Sequence, residues 1–151
     1  MCRWARILVK MSRSLSEAAG RELIRLNRAE SLRLLTTVPV GRLIFTVNAL
    51  PAVRVMNFVL SGDVIVVRTT AGSTATRRAA GSVVAFEADD FDVATSSGWS
   101  VTVTGRAQLV TDTGELASYD SLGLVPWAPG LRDHYLKIST EVIEGQQILV
   151  T

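Results

Sequence analysis

Residues 57–73 read N-F-V-L-S-G-D-V-I-V-V-R-T-T-A-G-S, and this stretch decides how the chain folds. One apolar run ends in a tight turn at Ser61-Gly62-Asp63, and a second, Val64 to Val67, leads out of it. Two apolar runs flanking a Gly-Asp turn read as neighbouring strands. Arg68 and Thr69 then meet a Gly72-Ser73 loop, which opens a short basic helix over residues 74–80. An arginine, two hydroxyls and a glycine at the mouth of a helix make a seat for a phosphate. The alternative is an ordinary strand–turn–helix with an exposed arginine. The glycine spacing is neither that of a Walker A loop nor that of a dinucleotide fingerprint.

Upstream, residues 14–36 are helical in pattern. Ser14 with Glu17 and Asn27 with Glu30 both have capping-box spacing. The spacing predicts two helices, over about 15–26 and 28–36, closed by Pro39 and Gly41. Residues 42–47 then read as a strand, Asn48-Ala49 as a hairpin turn and 51–60 as the returning strand.

Downstream, residues 82–88 form another strand, followed by an acidic loop over 89–98. The cleanest alternation runs from Trp99 to Val110. Trp99, Val101, Val103, Ala107 and Leu109 alternate with Ser100, Thr102, Thr104, Arg106 and Gln108, the mark of a half-buried strand. A helix over 113–122 and two closing strands, 135–139 and 142–150, complete the chain. Six or seven short strands without βαβ repetition predict a mainly antiparallel barrel with peripheral helices. We expect a basic amino-terminal arm and helix over 1–27 and one barrel domain over 28–151.

Composition supports a single globular unit. The 151 residues are 48% hydrophobic and 20% charged, which excludes a disordered class. No apolar run approaches the roughly 18 residues of a membrane span, no secretory signal is recognisable, and the lone Cys2 excludes an internal disulfide. These features predict a cytoplasmic protein. Residues 1–33 carry seven Arg and Lys10 against three Glu, so the positive charge belongs to the arm. Such an arm is a solvated helix face or, less simply, a nucleic-acid contact.

Other candidate residues have two readings each. Asn57 lies among apolar residues and either faces a heterocycle edge or pins a neighbouring strand. His134, with Asp133 beside it, is a general acid–base or a strand-start histidine; one histidine does not make a metal site. Asp89, Asp90 and Asp92 lack the ligand pattern of a calcium loop. Trp99 and Trp127 either stack on a flat ligand or pack in a core or interface.

One ordered set of segments goes further. It runs from T-V-P-V-G-R-L-I-F at 37–45 through Asn57-Phe58-Val59, Gly62-Asp63, Val67-Arg68-Thr69 and Gly72-Ser73 to Val84-Ala85-Phe86-Glu87, Gly98-Trp99-Ser100, Gly105-Arg106-Ala107 and Pro126-Trp127. In this order the segments resemble the pyridoxamine 5′-phosphate oxidase-like proteins of actinobacterial type. The resemblance implies a six-stranded antiparallel split β-barrel, usually a homodimer, with FMN bound between subunits. It implies that Val53, Met56, Asn57 and Phe58 run beside the flavin ring and that Ser100 approaches it. It places Arg68, Thr69, Ser73 and Thr74 at the ribityl phosphate and lets Trp127 reach the site from the partner. Related chains carry Lys at the position of Thr74, a charge that Arg77 or Arg78 could replace from one helical turn away. The implied activity is that of a flavin-dependent oxidoreductase, with no vitamin-oxidase substrate motif near the carboxyl end. A deazaflavin-dependent reductase and a non-catalytic flavin- or haem-binding protein are the alternatives.

Overall fold

The computed structural model describes residues 20–151. They form nine strands and three helices. The strands are β1 (Arg21–Leu26), β2 (Val40–Val47), β3 (Leu50–Asn57), β4 (Val59–Ser61), β5 (Val64–Thr69), β6 (Val83–Asp92), β7 (Ser97–Leu109), β8 (His134–Ile138) and β9 (Val142–Val150). The helices are α1 (Arg28–Leu35), α2 (Thr74–Ala79) and α3 (Thr113–Asp120). Every strand pairing is antiparallel, in the order β3-β2-β6-β7-β8-β5-β4, with β9 against β7 and β1 against β9. Among the described residues no helix is long and apolar enough to cross a membrane.

Strand β7 is the spine of the barrel. One edge pairs with β6 from Ser97 to Arg106. The other edge pairs with β9 from Gly98 to Thr104 and then changes partner to β8 from Ala107 to Leu109. The change of partner splits the barrel. Its buried face is the one read from the alternation: Trp99, Val101, Val103 and Ala107 are all 5% exposed or less. They pack with Phe86, Leu43, Ile65 and Leu136 in the main core. A smaller cluster, Val66, Val110, Tyr119 and Tyr135, lies beneath α3.

Three expectations are corrected. The helix over 15–26 is absent where the chain is described: residues 21–26 are β1, in unbroken register with β9 from Arg21↔Val150 to Leu26↔Gly145. Residues 15–19 and most of the basic arm lie outside the described residues. The segment R-E-L-I-R-L suits a helix by propensity, but β9 needs a partner on this edge, and a ladder of backbone hydrogen bonds outweighs weak local preference. The barrel sheet therefore begins by residue 21 rather than at 28. The second helix is capped as read, with Asn27 Oδ1 accepting from Glu30 N at 2.8 Å.

The acidic loop is also shorter than expected. β6 continues through Asp89, Asp90 and Asp92, paired with β7 down to Asp92↔Ser97, and only residues 93–96 turn. Ladder pairing satisfies the backbone there, while the carboxylates stay partly or fully in solvent. The strand expected over 51–60 breaks at Phe58, where the chain passes from β2's edge to β5's and Phe58 N donates to Pro39 O at 3.2 Å.

Candidate functional site

A cleft of about 270 Å³ opens where the ends of β3 and β5 meet the start of α2 and the loop that follows α3. β3 contributes Arg54, Val55, Met56 and Asn57. β5 and its loop contribute Arg68, Thr69, Thr70, Ser73 and Thr74, and the later loop adds Pro126, Ala128 and Arg132. Among the described residues no carboxylate lines the cleft, whereas three guanidinium groups do. In such a place an anion is favoured over any cation.

Each arginine is held by a different device. Arg68 lies over the Tyr135 ring, its guanidinium carbon 5.4 Å from the centroid, and Nη1 donates to Leu124 O at 3.2 Å. Its Nε is buried with no acceptor among the described residues. Tyr135 is fixed in turn, since its hydroxyl donates to Asp120 Oδ1 at 2.8 Å; burial raises the Tyr135 pKa, and this bond raises it further. Arg54 sits over Phe45 at 5.9 Å and donates to Val53 O. Arg132 donates from Nη1 to Ala128 O and Pro129 O, which ties its loop into a compact turn.

Below the arginines is a group of hydroxyls. Ser73 caps α2, accepting from Thr76 N at 3.1 Å, and Thr76 Oγ1 lies 2.7 Å from Ser73 Oγ and 2.6 Å from Thr69 Oγ1. α2 has only six residues, so the seat is made by side chains rather than by a long helix dipole.

The sequence expectations divide. Met56, Asn57, Arg68, Thr69, Ser73 and Thr74 meet in this one cleft. Phe58 does not join them: it is 3% exposed, edge-on to Phe86 at 4.9 Å, and belongs to the core. The break after Asn57 turns the Phe58 side chain into the core, away from the ring wall that the resemblance implied. Val53 is 51% exposed on β3 and does not line the cleft. Ser100 is also outside it, set in β7 between Asp89 and Gln146. Arg77 and Arg78 are exposed and do not line the cleft. Arg54 and Arg132, which sequence reasoning missed, add positive charge to the lining.

Asn57 pins a loop in this structure. Its Oδ1 accepts from Trp127 N at 2.8 Å, and its Nδ2 donates to Pro39 O at 3.3 Å. Trp127 itself is 71% exposed, and Trp99 is core. His134 pairs with Asp133 through Nδ1 at 2.7 Å and does not line the cleft. That bond holds the Asp133 carboxyl below its ordinary range.

The row of side chains around Ser100 has its own electrostatics. Arg42 Nη1 reaches Glu87 Oε2 at 2.8 Å and Asp89 Oδ2 at 3.4 Å. Burial lifts the Glu87 carboxyl above its ordinary range; Arg42 opposes the lift, and Asp89 adds to it. The same contacts raise the pKa of Arg42. The partners differ because the arginine side chain is 43% exposed and the glutamate 19%, so the carboxyl bears the burial. A carboxyl raised in the fold binds its proton more tightly there than in the unfolded chain. Its ionisation therefore costs stability, and the cost is absent at acid pH and complete above the raised value. Glu87→Gln, which can still accept from Arg42, is expected to raise the melting temperature at neutral pH. The gain should shrink as pH falls through the carboxylate range. Calorimetry across that range checks it, and an equal gain at all pH values would contradict it.

Comparison with known proteins places this geometry. The pyridoxamine 5′-phosphate oxidase family profile matches residues 27–147. The uncharacterized protein Rv0080 of Mycobacterium tuberculosis is 42% identical over 143 residues, covering 91% of this chain and 93% of its own. A proposed pyridoxamine 5′-phosphate oxidase of Corynebacterium glutamicum superposes with a TM-score of 0.75 at 29% identity, over 86% of this chain and all of that one. An FAD-binding protein of Mycobacterium smegmatis gives 0.67 at 28% identity, over 83% of this chain and 98% of its own. The segments read in order along the sequence and the split antiparallel barrel thus have one source: the chain belongs to the pyridoxamine 5′-phosphate oxidase family.

Proposed function

We propose that the protein is a cytoplasmic flavin-dependent oxidoreductase whose cleft takes the phosphate end of FMN. One observation carries the reading: Arg54, Arg68 and Arg132 converge with the hydroxyls of Thr69, Ser73 and Thr74 on a cleft without a carboxylate. The residues fit the group. Among the described residues Arg68 Nε is a buried donor with no acceptor, and the guanidinium that carries it belongs to the lining of a cleft suited to an anion. When bound, the flavin supplies the redox chemistry, and the protein binds, orients and tunes it.

The volume argues for a homodimer. About 270 Å³ lies below the range of roughly 300–1,000 Å³ common for ligand pockets, so the ring extends beyond this cleft. Next to the cleft, β3 pairs among the described residues only with β2 and exposes Leu50, Val53 and Val55. A second copy covering this strand gives the ring its other wall, with the exposed Trp127 available to reach across.

Purified protein is expected to be yellow and to release FMN on denaturation. A colourless preparation that leaves flavin fluorescence unchanged on titration with FMN overturns the reading. Turnover with a reduced nicotinamide separates an oxidoreductase from a binding protein. A second reading rests on Arg54 and Arg132, which offer more positive charge than one phosphate monoester uses. It assigns the cleft to a cofactor with further anionic groups, FAD or a deazaflavin, and competition against FMN in one assay separates them.

A further inference from the structure

The loop that carries Arg132 to the cleft has few attachments. Residues 125–133 form neither helix nor strand, and Val125, Trp127 and Leu131 are exposed. Leu124, at the start of the loop, is buried, and its carbonyl accepts from Arg68 Nη1 at 3.2 Å. Arg132, near the other end, bonds back into the loop at Ala128 O and Pro129 O. Among the described residues one hydrogen bond ties residues 125–132 to the rest of the chain. The Trp127 amide donates to Asn57 Oδ1 at 2.8 Å.

This tie has a fixed sense. A backbone N–H can only donate and a carbonyl can only accept. The Asn57 carboxamide must therefore turn its oxygen to Trp127 and its nitrogen to Pro39 O, 3.3 Å away. The Pro39 oxygen also receives the Phe58 amide at 3.2 Å, where the chain leaves β3. Asn57 is thus braced against the barrel on one side and holds the loop on the other. The loop is stiff enough for one tie to matter. Pro126 and Pro129 bracket Trp127 and Ala128, which fixes φ at both prolines and favours extended backbone before each. Holding Trp127 therefore holds Ala128 and Pro129, whose carbonyls the Arg132 guanidinium grips.

We propose that Asn57 is a positioning residue: it holds residues 125–132 at the cleft and so sets the Arg132 guanidinium to meet a bound phosphate, rather than contacting the flavin ring. The proposal rests on the phosphate reading of the cleft given above and assigns the effect of Asn57 to the charge of a second residue.

The test titrates FMN and riboflavin against wild-type protein, Asn57→Ala, Arg132→Ala and the double variant, following flavin fluorescence. Each single variant is expected to lose about tenfold in FMN affinity, the effect of one charged hydrogen bond, with riboflavin within about twofold of wild type. The double variant is expected to bind FMN no more weakly than the weaker single, because a released loop has already lost what Arg132 supplies. Trp127→Pro removes the donor from the other side of the tie, and Trp127→Ala, which keeps it, is its reference. This pair, alone and combined with Arg132→Ala, carries the same expectation if Asn57→Ala does not fold. Losses that multiply in the double variant overturn the proposal, and so does wild-type FMN affinity in either single variant. An equal loss for both flavins in Asn57→Ala also overturns it, because a ring contact serves both. Wild-type protein that binds FMN no better than riboflavin overturns the phosphate reading itself, an outcome distinct from these.

Discussion

Arg68→Ala is expected to weaken FMN binding by about 10- to 100-fold while leaving riboflavin binding nearly unchanged, because a charged hydrogen bond is worth roughly 1.5–3 kcal/mol. The size follows from how Arg68 is held. Its guanidinium lies over the Tyr135 ring, 5.4 Å from the centroid, and Tyr135 is anchored by Asp120, so little side-chain freedom is lost when a phosphate arrives. Nη1 is engaged by Leu124 O at 3.2 Å, whereas Nε is buried and without an acceptor among the described residues. The charge attraction between the guanidinium and a phosphate is therefore the main loss on truncation. Arg54 and Arg132 remain in the variant and keep the cleft basic, so binding weakens rather than disappears. Arg68→Lys keeps the charge but loses the planar fork, and should fall between alanine and wild type. Calorimetric titration of both flavins measures the ratio. Undiminished FMN affinity in Arg68→Ala removes Arg68 from the site.

The sequence was most legible where a single local rule dominates. The period-two alternation of β7 named its buried face correctly, since each inward residue is shielded by the same core. The Asn27–Glu30 spacing named a real cap, because a cap is built from neighbours in sequence. Legibility failed where the outcome depends on distant partners. Residues 21–26 took β form because β9 lay open beside them, over 110 residues away in sequence. Phe58 and Asn57 are adjacent, yet one faces the core and the other the cleft, because the chain changes edge between them. Ser100 sits on the polar face that alternation gave it, outside the lining of the arginine cleft, because alternation reports a face and not a position in space. Arg132 lies in a loop with no period, and only the turn made by its bonds to Ala128 and Pro129 places it with Arg68.

Gly105→Ala is expected to destabilise the fold by more than about 3 kcal/mol, at the upper end of the cost of overpacking a rigid site. Gly105 stands where β7 changes partner from β9 to β8. A Cβ there would lie inside the Ser139 carbonyl group and against its side-chain oxygen. Neither side can yield cheaply. Ser139 N donates to Arg106 O at 3.0 Å, and Arg106 N donates to Ser139 Oγ at 3.0 Å. On the opposite edge Gly105 is in register with Val84 of β6. Moving either strand by the width of a methyl group therefore breaks ladder bonds on both edges of the spine. Gly72→Ala is the control: no atom lies within 4 Å of its added Cβ, and its backbone is not left-handed, so a change within about 0.5 kcal/mol is expected. Urea unfolding of the two variants measures the contrast, with the slope watched for loss of two-state behaviour. The damage should also reach the cleft. β8 follows directly from the shifted crossing and carries Tyr135, the platform under Arg68, so any folded Gly105→Ala protein should bind FMN more weakly than Gly72→Ala. Equal midpoints for the two variants would show that the crossing has slack, and that the strand switch does not fix the position of Arg68.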